Sequence, residues 1–560
     1  MSAPTATIHD RFSEAEIAEF YKSGVWMKES FYQTAVAQAK VRPDKVYVFD
    51  GATSLTYGDF RESVLRLAVG LRRFGVERGD RVAVQLPNWT EFAVLAGAIS
   101  RIGAIIVPIM PIYRGNDVGF VLENSGAVVA ITAHEFRGFD HLQMFQELRS
   151  QAPDLRHLVA VRPGADLDRS IATPFGELLV DGDLDSLEAE AGPDSSPDDG
   201  FEIVYTSGTT SRPKGCYHTL NTGRASAVQM AKEFKYTEKD VQFGPSPITH
   251  STGLVTSVLM PMLVGASSYL MDAWEPKEGL RLIQEHGITA AVTATPFLQM
   301  LMAAYDPQQH DASSLRLWVC AGAPIPGSVV EQSAVLFPGC RTLSLYGRSE
   351  NLVSSFCTLE DPPERSVTSD GRAVWPSQIE VVDDEGRVVP RGEVGDIAFR
   401  GASHMLEYYR NEAETAALFT PDGFSRSGDL GHMDEDGYIR VTGRSKDIII
   451  RGGMNISARE IEEHLLAHEA VKNVAVVAMP DARLGEKVCA YVVLADDVIT
   501  VGLSDLTDFL RGHQFAVQKL PERLEIVSEL PITATGKVQK HVLRADISEK
   551  LAQAQGAVQL

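Results

Sequence analysis

Apolar positions along this chain alternate between two rhythms. Over residues 57–88, Phe60, Val64, Leu67 and Leu71 recur at helical spacing, Gly75 and Gly79 punctuate, and RVAVQL (81–86) follows as an apolar run of strand length. The same alternation fills residues 30–150 and resumes over 240–345, with strands expected near SYLMD, ITAAVTA and LRLWVCAG. Helices alternating with apolar strands predict a layered α/β domain. The most apolar run, IGAIIVPIMPIY (102–113), holds two prolines and is too short to span a bilayer. It reads as a buried strand and its exit loop.

The texture changes near residue 376. IEVVDDEGRVV and GDIAFRG read as β-hairpin material with an EG turn. After GRSKDIII (443–450) comes a smaller α+β pattern: a helix at 458–468, strands VAVVAMP and VCAYVVL, a helix near 503–515, and a tail with PITATGKVQK. The expected division is therefore a domain over 1–443 and a second over 444–560. Residues 163–200 are polar and acidic and read as a surface connection.

Composition narrows the function classes. The 560 residues are 44% hydrophobic and 23% charged, ordinary for a globular protein. Lys+Arg 52 against Asp+Glu 75 leaves a net charge of -23, with no basic block, which argues against nucleic acid and anionic membranes as partners. The five cysteines (216, 320, 340, 357 and 489) are dispersed with no CxxC, which fits reduced thiols rather than disulfides or zinc. The N-terminus lacks a basic head before an apolar core, so a cytoplasmic location is expected.

One stretch carries chemistry by itself. YTSGTTSRPKGC (205–216) crowds hydroxyls and glycines ahead of a lysine, Lys214. It follows the strand-like IVY (203–205) and precedes helical spacing of Ala225, Val228, Met230 and Phe234, so it reads as a strand-to-helix loop. Small residues that turn N–H groups inward, hydroxyl donors and a mobile ammonium suit a phosphate. The spacing is not that of a P-loop, and such clusters also occur as plain loops; the residues alone leave both readings open.

Further segments change the balance. LYGRSEN (345–351), SRSGDLGHMDEDGYI (425–439), GRSKDIIIRGGMNISAREIE (443–462) and PITATGKVQK (531–540) follow in that order. With the opening loop, the chain from about residue 30 to 545 resembles the adenylate-forming superfamily, in its acyl-CoA synthetase branch. The resemblance implies a large N-terminal domain of β-sheets flanked by helices with a small β-barrel-like part, and a mobile α+β C-terminal domain. It implies ATP, AMP, CoA and Mg²⁺ as cofactors and a carboxylic acid or its acyl-adenylate as substrate. Relatives commonly form homodimers, a point on which the residues are silent.

Site residues follow from the same resemblance. Thr206, Ser207, Gly208, Thr209, Thr210 and Lys214 match the phosphate loop. The ring of Tyr346 matches the adenine platform beside Gly347, and Ser349 matches the α-phosphate contact. Glu350 matches the Mg²⁺ ligand, Asp429 the acid that accepts from both ribose hydroxyls, and Arg444 a ribose or phosphate contact. Lys537 matches the catalytic lysine that bridges substrate carboxylate and α-phosphate as charge builds. Lys446 matches the hinge, and Gly453 the loop that lines the thiol tunnel after the small domain rotates. His250 matches a position between acid and thiol sites.

The branch is read from what these segments lack. ITHST, around His250, offers no aspartate for a substrate amine, which favours a simple acid, and no carrier-domain serine motif follows, which favours free CoA. Small Ala321, Gly322 and Ala323 suggest a wide pocket for a medium or bulky cyclic acid, as in alicyclic and aryl acid ligases, with Arg348 a further cation beside it. One departure bears on the first half-reaction. Ser211 stands where the family has glycine, and at a positive φ it costs about 1 kcal/mol or more. Arg212 crowds the same turn. Three readings follow: a complete acyl-CoA ligase, a ligase restricted to thioester formation from a preformed acyl-adenylate, and a non-catalytic nucleotide-binding protein. Retention of Lys214, Glu350, Asp429 and Lys537 together places the third last, and between the first two, which nothing in the sequence cleanly separates, the presence of Lys537 puts the complete ligase ahead.

Overall fold

The computed structural model describes residues 6–206, 213–322, 325–452, 454–481, 483–495, 500–533 and 537–558. Two eight-stranded sheets organise the larger part. In the first, Arg341–Tyr346, Leu317–Ala321, Ala290–Ala294, Val241–Gly244, Ser267–Leu270 and Val46–Phe49 run parallel, with Ser355–Phe356 and Ser54–Thr56 antiparallel at the edges. In the second, Gly200–Thr206, Ile105–Pro108, Arg81–Gln85, Val129–Ala133, His157–Val161 and Thr173–Pro174 are parallel. Strands covered on both faces read as continuous apolar runs, as LWVCA and VAITA do, and both are buried throughout.

The helix Tyr57–Arg73 shows why the helical segments form where they do. Thr56 caps it with a reciprocal Asp59 contact, and Phe60, Val64, Leu67 and Leu71 are fully buried on its inner side. They join the largest core, shared between the helices Tyr57–Arg73 and Thr90–Arg101 and both sheets. Deleting one such side chain removes contacts that only partly close again, at about 2–5 kcal/mol for Leu or Phe to Ala.

Two local expectations are corrected. The connection 163–200 contains the helix Leu184–Ala191, whose Leu187 and Ala191 are buried in that core. Its acidic exposed face outnumbers its few apolar contacts, so periodicity hides it. The loop of 205–216 does not lead into a helix. Lys214–Thr219 is a strand antiparallel to Gly200–Thr206, and the helix Leu220–Glu233 starts only after Thr219 caps it. The strand KGCYHT is half polar, because His218 and Thr219 are buried with hydrogen-bonding partners.

Gln378–Val382, Gly395–Arg400, Ser425–Met433 and Ile439–Arg444 form a four-stranded antiparallel sheet. A 3₁₀ turn, Ser445–Asp447, then leads to the five-stranded sheet that includes Ile448–Arg451, Val471–Asp481 and Gly485–Leu494. Helices Ala458–Leu465, Leu503–Gly512 and Lys540–Val558 belong to this last part. Two cores share the paired strands Val471–Asp481 and Gly485–Leu494, one drawing on Ile461, Leu465 and Leu506 and the other on Leu543 and Ile547. Among the described residues no helix is long and apolar enough to cross a membrane.

Candidate functional site

Two adjacent parallel strands deliver the site. Leu317–Ala321 and Arg341–Tyr346 end at the same edge of their sheet, the usual place for a ligand crevice in α/β folds. The chain leaves the second strand through a tight turn at Gly347, where a Cβ would lie 2.0 Å from the Leu352 carbonyl oxygen. That turn carries Arg348, Ser349 and Glu350 past the cavity.

Tyr346 points its hydroxyl at Asp429, donating to Oδ2 at 2.7 Å. Arg444 Nε holds the other carboxylate oxygen at 2.8 Å, and the two residues are register partners across Ser425–Met433 and Ile439–Arg444. The Arg444 guanidinium is raised, first by the Asp429 charge. The Tyr346 phenol is held well above its ordinary value, first by burial and then by that same carboxylate.

Glu350 takes a hydrogen bond from the Tyr408 hydroxyl at 2.5 Å. Burial pushes its carboxyl up, but the Arg348 charge and the Tyr408 hydroxyl outweigh this and leave it lowered. The group is therefore held as an anion. Among the described residues no cluster of three metal-ligating side chains occurs. A lone carboxylate fits Mg²⁺, which is held through one or two carboxylates and the substrate's phosphates. Arg348 is anchored on the backbone, donating to the carbonyls of Arg426 at 2.7 Å and Ser425 at 3.0 Å, while also lining the cavity.

Lys537 comes from the far end of the chain. Its backbone is pinned by a bond to Thr533 Oγ1 at 3.1 Å, and Thr533 N returns to its carbonyl at 2.7 Å. The side chain lines the same cavity as His250, Gly322, Gly347 and Ser349. A Cβ on Gly322, whose φ is +76°, would meet Lys537 Cε at 3.3 Å. Burial first, then the Arg444 charge, lowers the ammonium's pKa, while Asp429 and Glu350 partly restore it. His250 caps the helix Ser251–Leu254, accepting from Thr252 N at 3.3 Å. Burial, then the Lys537 charge, lowers its imidazole to about 4, so it is neutral at pH 7.

The cavity encloses about 90 Å³. Its apolar wall includes Met230, Val255, Val292, Phe297, Leu345 and Val353, with Ala321 at the strand end. Among the described residues no carboxylate lines it, and the charged groups that do are Arg348 and Lys537. A π-helical turn, Val255–Leu259, bulges in the adjoining helix, a distortion frequent at functional sites. A larger cavity of about 480 Å³ lies between the N-terminal helices and residues 400–423, and none of the motif residues lines it.

Other expected positions fall nearby. Thr206 ends its strand opposite Lys214, whose Nζ pairs with Glu414 at 2.5 Å and lies 5.0 Å from the Tyr408 ring centroid. Ser349 offers its carbonyl to His218 Nε2 at 2.8 Å. Lys446 lies in the 3₁₀ turn joining the two parts and is not among the cavity's lining residues. Ser207, Gly208, Thr209, Thr210, Ser211, Arg212, Ala323 and Gly453 lie outside the described residues.

With this geometry in view, comparison with known proteins is decisive. Residues 36–409 match the family described as AMP-binding enzyme, and 460–537 match the AMP-binding enzyme C-terminal domain. The chain belongs to the AMP-binding enzyme family. Among curated relatives of this adenylate-forming ligase, the medium-chain fatty-acid–CoA ligase of Escherichia coli K12 is 35% identical, covering 97% of this chain and 94% of its own. The 2,3-dihydroxybenzoate-AMP ligase of Bacillus subtilis 168 is 32% identical over 96% of this chain and 97% of its own. Among solved structures, the anthranilate CoA ligase AuaEII in complex with anthranoyl-AMP superposes with a TM-score of 0.84 at 27% identity, covering 94% of this chain and 98% of that one.

Sequence reading of this adenylate-forming ligase missed Tyr408, Glu414 and His218. Each acts through a partner more than 50 residues away, and only the sheet Gly200–Thr206, Lys214–Thr219, Glu407–Tyr408 brings them together.

Proposed function

We propose that this ligase is an AMP-forming acid–CoA ligase. It activates a carboxylic acid as its acyl-adenylate and transfers the acyl group to CoA. The observation that carries this reading is the Lys537 ammonium inside the cavity, reached from the C-terminal part and packed at Gly322. In the first half-reaction Lys537 bridges the attacking carboxylate and the α-phosphate, stabilising charge that develops at phosphorus. Tyr346 packs on adenine, Asp429 accepts from the ribose hydroxyls with Arg444 beside it, and Lys214, with Thr206 and 207–210, takes the β- and γ-phosphates. Glu350 would hold Mg²⁺, which when bound neutralises phosphate charge.

The acid lies against Met230, Val255, Val292, Phe297 and Leu345. An apolar wall with no carboxylate among the described residues disfavours an ammonium-bearing substrate and supports a simple acid. A medium or bulky cyclic acid is the preferred class, in keeping with the aryl acid relatives. In the second half-reaction the C-terminal part, 444–560, turns about Lys446, withdraws Lys537 and brings the loop at Gly453 to the CoA path. His250, neutral and lodged between the two sites, guides the thiol.

The test separates the halves. One assay follows acid-dependent pyrophosphate release from ATP over cyclic and linear acids; the other follows thioester formation from synthetic acyl-adenylates and CoA. Activity in both supports the complete ligase and names the acid. Thioester formation alone assigns the chain to preformed adenylates, and silence in both overturns the ligase reading.

A further inference from the structure

The Lys214–Glu414 pair has a use beyond holding two strands together. Lys214 opens the strand Lys214–Thr219, and Glu407–Tyr408 pairs with that strand through Cys216 and Tyr217. Glu414 sits in the first turn of the helix Glu412–Ala417, where Asn411 caps its N–H at 3.2 Å. Thr415 Oγ1 accepts from Tyr408 N at 2.9 Å, fixing this helix to the strand. Glu414 is thus held beside Lys214 by a built framework, not by a chance side-chain encounter. Through Tyr408, the same framework also reaches Glu350.

We propose that Glu414 is a displaceable counter-ion for Lys214, with which phosphate competes when ATP binds and which recaptures the lysine as pyrophosphate leaves. The inference rests on the reading of Lys214 as a phosphate contact. A lysine bonded to a carboxylate at 2.5 Å cannot give that donor direction to a phosphate without letting go. Once it does, Glu414, half exposed on its short helix, is left as a lone anion beside a polyanion. Both effects weaken triphosphate and pyrophosphate binding, and neither touches AMP, which lacks those phosphates. Glu414 is a positioning residue: it sets the lysine's availability and does not contact the reacting atoms.

Equilibrium binding to the full chain tests this without turnover. The probes are α,β-methylene-ATP, pyrophosphate and AMP, each measured for the natural chain, Glu414→Gln, Glu414→Asp and Glu412→Gln. Glu414→Gln should bind the ATP analogue and pyrophosphate about threefold more tightly with AMP unchanged, the scale of a partly exposed ion pair. The gain should shrink as salt rises. Glu414→Asp should stay closer to the natural chain, and Glu412→Gln, the same charge change on the same helix, should leave all three probes unmoved. Unchanged or weaker analogue binding in Glu414→Gln overturns the proposal, as does an equal shift for AMP or the same effect from Glu412→Gln. If the natural chain binds AMP but not the analogue, its ATP-dependent half fails. Analogue binding regained in Glu414→Gln alone then supports the counter-ion, and its absence overturns the counter-ion too.

Discussion

Tyr346 and Asp429 meet at 2.7 Å, hydroxyl to carboxylate, where the strand that carries the YGRSE turn faces the four-stranded sheet. The contact joins the group read as the adenine platform to the group read as the ribose acceptor. Arg444 occupies the second oxygen, so both are oriented before any nucleotide arrives. Each carboxylate oxygen keeps a further lone-pair direction for a ribose hydroxyl.

Asp429→Asn therefore removes a buried anion while leaving Arg444 without its partner. Hydrogen bonds to charged groups contribute about 1.5–3 kcal/mol, so AMP and ATP should both bind roughly 10- to 100-fold more weakly. Tyr346→Phe should cost about fivefold, since it deletes one orienting bond and keeps the ring. Calorimetric titration with AMP and an ATP analogue checks both. Equal losses for the two nucleotides mark a ribose contact, in contrast to the triphosphate-only effect expected at Glu414.

Gly322 packs directly against the Lys537 side chain. Its φ of +76° disfavours any side chain, and a Cβ would press on Lys537 Cε at 3.3 Å. Gly322→Ala should lower stability by about 1 kcal/mol and slow pyrophosphate release, while thioester formation from a synthetic acyl-adenylate is largely retained. Thermal unfolding and the two half-assays read these separately. Equal slowing of both halves would place the glycine's role elsewhere.

Lys537 must be protonated to act as a cation, and its surroundings lower its pKa. The first half-reaction should thus fall on the alkaline side at a pH below the ordinary lysine value of about 10.4. Lys537→Ala should abolish that half-reaction and spare the second. It should also let the His250 imidazole rise above its value of about 4, because one of its two depressing causes is gone. Burial is the larger cause, so the new value should stay below the ordinary histidine range near 6.5. Proton NMR of the His250 ring in both proteins measures the change.

The extent to which this was legible in advance differs by residue. The strands VAITA and LWVCA and the helix carrying Phe60 to Leu71 follow from apolar period alone, because burial on two faces or one stripe leaves no other pattern. Asp429, Glu350 and Lys537 are singled out by motif order, and the family resemblance already gathers them about one nucleotide; in the structure Asp429 and Glu350 lie near enough to Lys537 to act on its charge. The strand Lys214–Thr219 escaped because its buried polar residues find partners elsewhere, His218 on the distant Ser349 carbonyl and Thr219 on Thr222 of the following helix. Part of the cavity wall escaped for the opposite reason: Met230 and Val292 look like any other core positions until a cavity exposes one side of them. Periodicity reports burial, and it cannot report what a side chain is buried against.

Tyr408, like His218 and Glu414, is a residue that neither pattern nor motif announced. Its hydroxyl donates to Glu350 at 2.5 Å and opposes the upward push of burial on that carboxyl. Tyr408→Phe removes the donor and keeps the ring beneath Lys214, so the Glu350 pKa should rise. A raised carboxyl pKa means a smaller ionised fraction at any given acidic pH. On the reading of Glu350 as the Mg²⁺ ligand, the acid limb of pyrophosphate release should move to higher pH, and half-saturation by Mg²⁺ should rise most at the acid end. Thioester formation from a synthetic acyl-adenylate needs no triphosphate and should keep its natural profile. Rate profiles at several Mg²⁺ concentrations decide the matter. A loss of rate independent of both pH and Mg²⁺ would instead assign Tyr408 to the packing of the Lys214–Glu414 edge alone.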